Sequence, residues 1–165
     1  MTGTDWRDGH AQLVERIRAL PALAARAARE VQVPLDLGGD ATDRLVAVGI
    51  GSSEAHARLL AHLVAERTGR AARFVPASAL VAPAGPPAGD VLVVFSQGLS
   101  PNAQLLLAHA SCWRRVVLAT AVTDAARLAP LRARGIVVVH FAGEQEFGTL
   151  VRVTGPLAGY LCAIR

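Results

Sequence analysis

The segment VLVVFSQGLSPN, Val91 to Asn102, joins an uninterrupted apolar run to a polar loop and then to a Ser-Pro pair. An apolar run this short, rich in β-branched residues and closed by an aromatic, predicts a strand buried on both faces. Serine followed by proline is the pattern of a helix N-cap with proline at the first helical position. The segment therefore reads as strand, loop, helix, with the helix over Pro101–Ser111. The same reading extends outward. Leu45–Gly49 (LVAVG) predicts a buried strand and the following residues a helix from about Ser53 to Thr68. Arg73–Pro76 predicts a weaker strand. Arg115–Thr120 and Ile136–His140 predict strands on either side of a helix over Asp124–Arg134, and a last helical stretch runs from about Gly148 to Ile164. Short apolar strands alternating with helices specify an α/β three-layer sandwich, here with a parallel, flavodoxin-like sheet of five strands. Ahead of it, apolar positions at helical spacing from His10 to Val31 predict an amphipathic helix that Pro21 kinks or splits. Residues 1–43 are expected to form this helix and a connector, and residues 44–165 the α/β domain.

Composition narrows the class. The chain has 165 residues, 52% apolar and 18% charged, enough to bury roughly 70% of its unfolded surface as one domain. Such apolar content excludes disorder, and no apolar run approaches the roughly 20 residues of a bilayer span. Met1–His10 lacks the pattern of a signal peptide. Two cysteines, Cys112 and Cys162, make neither a disulfide scaffold nor a zinc site by themselves. A cytoplasmic protein without a membrane partner is expected. The formal charge is +4, yet all 17 basic residues are arginines scattered along the chain, and aromatics are 4%. Without a basic cluster or a stacking platform, no nucleic-acid partner is expected. The lack of lysine excludes a lysine Schiff base and a P-loop lysine within this chain.

Ligands of open α/β sheets bind beyond the carboxyl ends of the strands, where strand order reverses. In the order 2-1-3-4-5 the first and third strands are neighbours there. That places Gly49-Ile50-Gly51-Ser52-Ser53 beside Ser96-Gln97-Gly98-Leu99-Ser100-Pro101-Asn102. Each loop offers hydroxyls, a glycine that admits backbone amides, and a helix start, which together favour a phosphate or similar anion. The dinucleotide fingerprint GxGxxG fails, because Glu54 occupies its third glycine position. No cofactor is expected. No HxxxH or HExxH spacing occurs, so no metal is expected either.

Three segments, VAVGIGSSEAHA (Val46–Ala57), RFVPASAL (Arg73–Leu80) and DVLVVFSQGLSPNA (Asp90–Ala103), resemble the sugar isomerase, or SIS, domain. They are most like the first SIS half of double-SIS proteins such as the isomerase part of glucosamine-6-phosphate synthase. The resemblance implies a phosphosugar ligand, held by Gly51, Ser52, Ser53, Ser96, Gln97, Gly98 and Ser100. The sequence departs from the family pattern in places. Its second loop is one residue shorter than S-Q-S-G-x-[ST], Ala79 stands where glutamate is frequent, and the last helix lacks an S-T-K run.

Aldose–ketose isomerisation needs a base that moves a proton between adjacent carbons. The resemblance implies that the catalytic glutamate, histidine and lysine of double-SIS enzymes lie in the second half or the tail. Here Glu54, Glu144, Glu146 and His56 are the candidates. Glu146, in the Glu146-Phe147-Gly148 that resembles the family's E-x-G, is the one assigned as catalytic. The last helix is apolar on more than one face, which implies a second subunit, most simply a homodimer, or a missing second SIS half. Three readings stay open: a sugar-phosphate isomerase or half of one, a phosphosugar sensor, and a dimerisation module.

Overall fold

The computed structural model describes residues 6–30, 37, 42–81, 89–141 and 154–164. Five strands, β1 (Leu45–Gly49), β2 (Ala72–Phe74), β3 (Val91–Phe95), β4 (Arg115–Thr120) and β5 (Val137–His140), form one sheet in the order β2-β1-β3-β4-β5. All pairings are parallel, as the alternation of apolar runs and helices predicts. Every residue of β1 and β3 is buried, which is why these strands read as continuous apolar runs rather than alternating ones.

Two helical layers cover the sheet. On one face Val46, Val48, Leu92, Val94 and Leu118 meet α3 (Ala77–Leu80), α4 (Pro101–Ala108) and α5 (Ala125–Ala133) through Leu80, Leu106, Leu107 and Leu128. On the other, Ala47, Val93, Phe95 and Val117 meet α2 (Ser52–Thr68) and α6 (Thr154–Ile164) through Ala57, Leu60, Ala158 and Cys162. Burial pushes the Cys162 thiol up to about 11, so it packs as a small apolar group.

Helix α1 spans Trp6–Glu30 without a break, so Pro21 does not split it. Both Pro21 and Ile17, four residues earlier, are exposed, so water can satisfy the Ile17 carbonyl that proline leaves unpaired. Helix α1 lies against α6 and so covers part of the face that the sequence assigned to a second subunit. Tyr160 and Ile164 of α6 stay exposed. Strand β2 is shorter than expected and starts one residue earlier, at Ala72. Among the described residues no helix is long and apolar enough to cross a membrane.

Candidate functional site

Gly49 and Phe95 are register partners on β1 and β3, so the two serine-bearing loops leave the sheet side by side, beyond its carboxyl edge. In the first loop Gly51 takes a left-handed conformation (φ 63°), and α2 begins at Ser52 with no side chain capping it. The Ser53 and Glu54 N–H groups of its first turn donate to the Ile50 and Gly51 carbonyls (3.3 and 3.0 Å), and the positive end of the helix dipole, which favours anions, lies at this loop. Ser52 is exposed and Ser53 buried. Gly49 ends β1 so close to α2 that a Cβ there would lie 2.1 Å from the Ser53 carbonyl oxygen.

The second loop is tied down from several sides. The Ser96 hydroxyl oxygen accepts the Ser100 N–H (3.3 Å), and the Ser100 oxygen accepts the Ala103 N–H (3.3 Å). Both hydroxyl protons remain available to donate to a ligand. The Gln97 carbonyl accepts from the Thr120 hydroxyl (3.1 Å) and from the Ala121 N–H (3.1 Å). Arg127 Nη2 donates to the Gly98 and Leu99 carbonyls at 3.0 and 3.4 Å, and Gln104 Nε2 donates to Leu99 (3.3 Å). Three successive carbonyls are thus engaged by donors, which reduces the negative field an incoming anion would meet.

Leu99, not Gly98, takes the left-handed conformation (φ 50°), and Gly98 has open space about it. Leu99 is buried in the core beside α4. Burying a leucine is worth roughly 1.5–3 kcal/mol, enough to offset the roughly 1–2 kcal/mol of left-handed strain at a non-glycine residue.

Helix α6 supplies a third wall. A Cβ on Gly155 would lie 2.1 Å from Gln97 Nε2, and one on Gly159 would lie 2.4 Å from the His56 ring. These two glycines, one helical turn apart, let α6 press against both loops' elements. His56 is buried between Phe95 and Tyr160, the latter edge-on at 4.7 Å. Neither ring nitrogen has a partner in hydrogen-bond geometry among the described residues. Burial pushes its pKa below the ordinary 6.5, and the Pro156 carbonyl opposes that only in part. His56 is therefore neutral in the folded protein, and the unfolded chain takes up its proton first as pH falls. Stability should accordingly decline as pH drops below about 6.5 until the folded-state pKa is passed. Denaturation midpoints at pH 7.5 and at about pH 5.5 should differ less in His56→Ala than in the parent; an equal difference would remove His56 as the cause.

Of the other candidate bases, Glu54 is held by Arg58, whose Nε and Nη2 lie 2.9 and 2.7 Å from its carboxylate. Glu144 and the assigned Glu146 fall outside the described residues. The structure brings Gly51, Ser52, Ser53, Ser96, Gln97, Gly98 and Ser100 together on neighbouring loops. Thr120, Arg127, Gly155 and Gly159 were missed by the sequence reading. Only Thr120, at the end of a predicted strand beside the switch point, carried a local signal. Among the described residues no cluster of three or more metal-ligating side chains occurs.

No protein-family model matches the chain, and neither does any curated protein sequence. Solved structures do match its shape. One is a protein of Bacteroides fragilis NCTC 9343 assigned as a phosphosugar isomerase involved in capsule formation: TM-score 0.64, 19% identity, over 92% of this chain and 86% of that one. A protein of E. coli CFT073 in complex with a sugar phosphate matches with TM-score 0.60 and 18% identity, over 93% of this chain and 89% of that one. Tagatose-6-phosphate ketose/aldose isomerase from Escherichia coli matches with TM-score 0.63 and 19% identity over 90% of this chain, which spans 42% of that longer chain. The strand order, the helical layers and these likenesses agree: the chain has the fold of a sugar isomerase, or SIS, domain.

Proposed function

We propose that the chain binds a phosphosugar in the two serine loops and serves as a sugar-phosphate isomerase, alone or as half of a double-SIS enzyme. The observation that carries this reading is the pairing of two helix starts, α2 at Ser52 and α4 at Pro101, on adjacent parallel strands. Their partial positive ends and loop hydroxyls suit a dianionic phosphate. Gly51, Ser52, Ser53, Ser96, Gln97, Gly98 and Ser100 form the cradle, and Arg127 supplies the positive charge that lysine cannot in this chain. Glu146 is assigned as the base by sequence likeness. The sugar-phosphate complex and the ketose/aldose isomerase among the structural neighbours support the ligand class. A homodimer or a second SIS half would complete the site, and a cytoplasmic setting fits such chemistry.

A thermal-shift screen tests this with fructose 6-phosphate, smaller sugar phosphates, the parent sugars and inorganic phosphate. A ligand at about 100 times its Kd adds roughly 2.7 kcal/mol of stability, a rise of several degrees in Tm. A rise with a sugar phosphate but not its parent sugar supports the reading, and direct assay of aldose–ketose interconversion follows. No rise with any compound overturns it. Two serine variants separate capping from binding. Ser100→Ala should lower stability by about 1 kcal/mol even without ligand, because it removes the α4 cap. Ser53→Ala, which removes no described hydrogen bond, should lower it by less than about 1 kcal/mol while abolishing the ligand-induced rise.

A further inference from the structure

His56 touches all three walls of the serine-loop site. It stands on α2 one turn after Ser52 and Ser53. Its ring packs on Phe95, the residue before Ser96, with ring centroids 5.8 Å apart, and meets the Tyr160 ring edge-on at 4.7 Å. Gly159 brings the α6 backbone onto the same ring, and Gly155, one turn earlier, lies on the Gln97 side chain. The ring is 2% exposed. From α6 it is faced by Tyr160 and the Pro156 carbonyl, with the Cys162 thiol in the adjoining core; from β3 it is faced by Phe95. On α2 the charged residues two places to either side, Glu54 and Arg58, pair with each other. Among the described residues no carboxylate is placed to receive an imidazolium, and burial disfavours one.

Helix α6 depends on this seam. Its eleven residues include two glycines and a proline, all poor helix formers, and a helix so short is marginal on its own. It pairs with no strand, and α1, its other neighbour, is likewise outside the sheet. Its release therefore breaks no rung of the ladder and can occur as a local opening. At the far end Arg67 Nη1, 3.5 Å from the Ile164 carbonyl, is an exposed tie.

We propose that His56 is a proton-controlled latch that holds α6 on the serine-loop site. With the ring neutral, α2, the β3 loop and α6 close on one another. When the ring takes up a proton, α6 undocks, Gly155 leaves Gln97 and one wall of the site opens. A histidine that merely filled space would give α6 no such dependence on acid. The opening itself does not require a ligand; its effect on sugar-phosphate binding rests on the function proposed above.

Cys162 reports the opening directly, because it lies on α6 and is 1% exposed. Cys112→Ser leaves it the sole thiol of the two. The probe is 4,4′-dithiodipyridine, which labels thiols in mild acid, with each rate divided by that of free glutathione at the same pH. From about pH 7.5 to about pH 5 this ratio should rise at least about tenfold, and in His56→Gln it should stay level. The labelling should respond weakly to dilute urea, as a local opening does, and not with the full dependence of global unfolding followed by circular dichroism. This last measurement needs no variant, so the test stands even if His56→Gln fails to fold. A level ratio in the parent, a rise that persists in His56→Gln, or labelling that follows global unfolding would each overturn the latch. A sugar phosphate that binds the closed site should slow the labelling. Acid-dependent opening that no sugar phosphate slows would count against the phosphosugar reading and leave the latch standing.

Discussion

Gly49→Ala is expected to destabilise the protein by at least about 3 kcal/mol, lowering Tm by roughly 10 °C, and to abolish binding at the serine loops. Only one methyl group is added, and the φ of Gly49 is ordinary, so backbone strain is not the cause. The added carbon would lie 2.1 Å from the Ser53 carbonyl oxygen, 2.3 Å from its carbon and 2.7 Å from the Glu54 nitrogen. All three are backbone atoms in the first turn of α2, so no rotamer change relieves the contact. Either β1 withdraws from its ladder with β2 and β3, or α2 shifts away from the sheet and takes Ser52 and Ser53 with it. Thermal melts and the sugar-phosphate screen check both halves. Ser53→Ala makes the useful contrast, since it should lose ligand while losing less than about 1 kcal/mol of stability. A Gly49→Ala protein that melts within about 1 °C of the parent would show that the strand–helix junction yields easily.

The residues that were legible in the sequence are those whose local and global preferences agree. Val91–Phe95 can only be a buried strand, Ser100-Pro101 can only open a helix, and both do so. The parallel alternation implies a doubly wound sheet but does not choose its strand order; the adjacency of the serine loops follows from the flavodoxin-like order, which is the order found. What the sequence hid depends on long-range contact. Nothing near Gly98-Leu99 says which residue turns left-handed, because the choice is made by the core that receives Leu99. Arg127 reaches its carbonyls from α5, 28 residues or more away in the chain. The breadth of apolar surface on α6 was read correctly, but part of its partner is α1 of the same chain, an association that periodicity alone cannot assign. His56 sits at a helix position that a polar residue commonly gives to solvent. It is buried because two glycines on another helix make room for it and for Gln97.

That last arrangement carries the second large effect. Gly159→Val should destabilise the protein by about 3 kcal/mol, since even its Cβ would stand 2.4 Å from the His56 ring and the γ-methyl groups enlarge the overlap. Removing a glycine from a helix would by itself be neutral or slightly favourable, so a loss of this size can come only from the packing of α6 on α2. Unlike the Gly49 contact, this one involves a side chain, and deleting that side chain should relieve it. His56→Ala alone opens a cavity, yet it also removes two buried nitrogens that find no partner in good hydrogen-bond geometry among the described residues, so its penalty should stay near 1–2 kcal/mol. The double variant should then be more stable than the sum of the single changes predicts, by at least about 1 kcal/mol. Strict additivity would mean that α6 moves as a body to accommodate valine, carrying Gly155 away from Gln97. In that case binding at the serine loops, rather than stability, would register the change at Gly159, and the sugar-phosphate screen on Gly159→Val distinguishes the two.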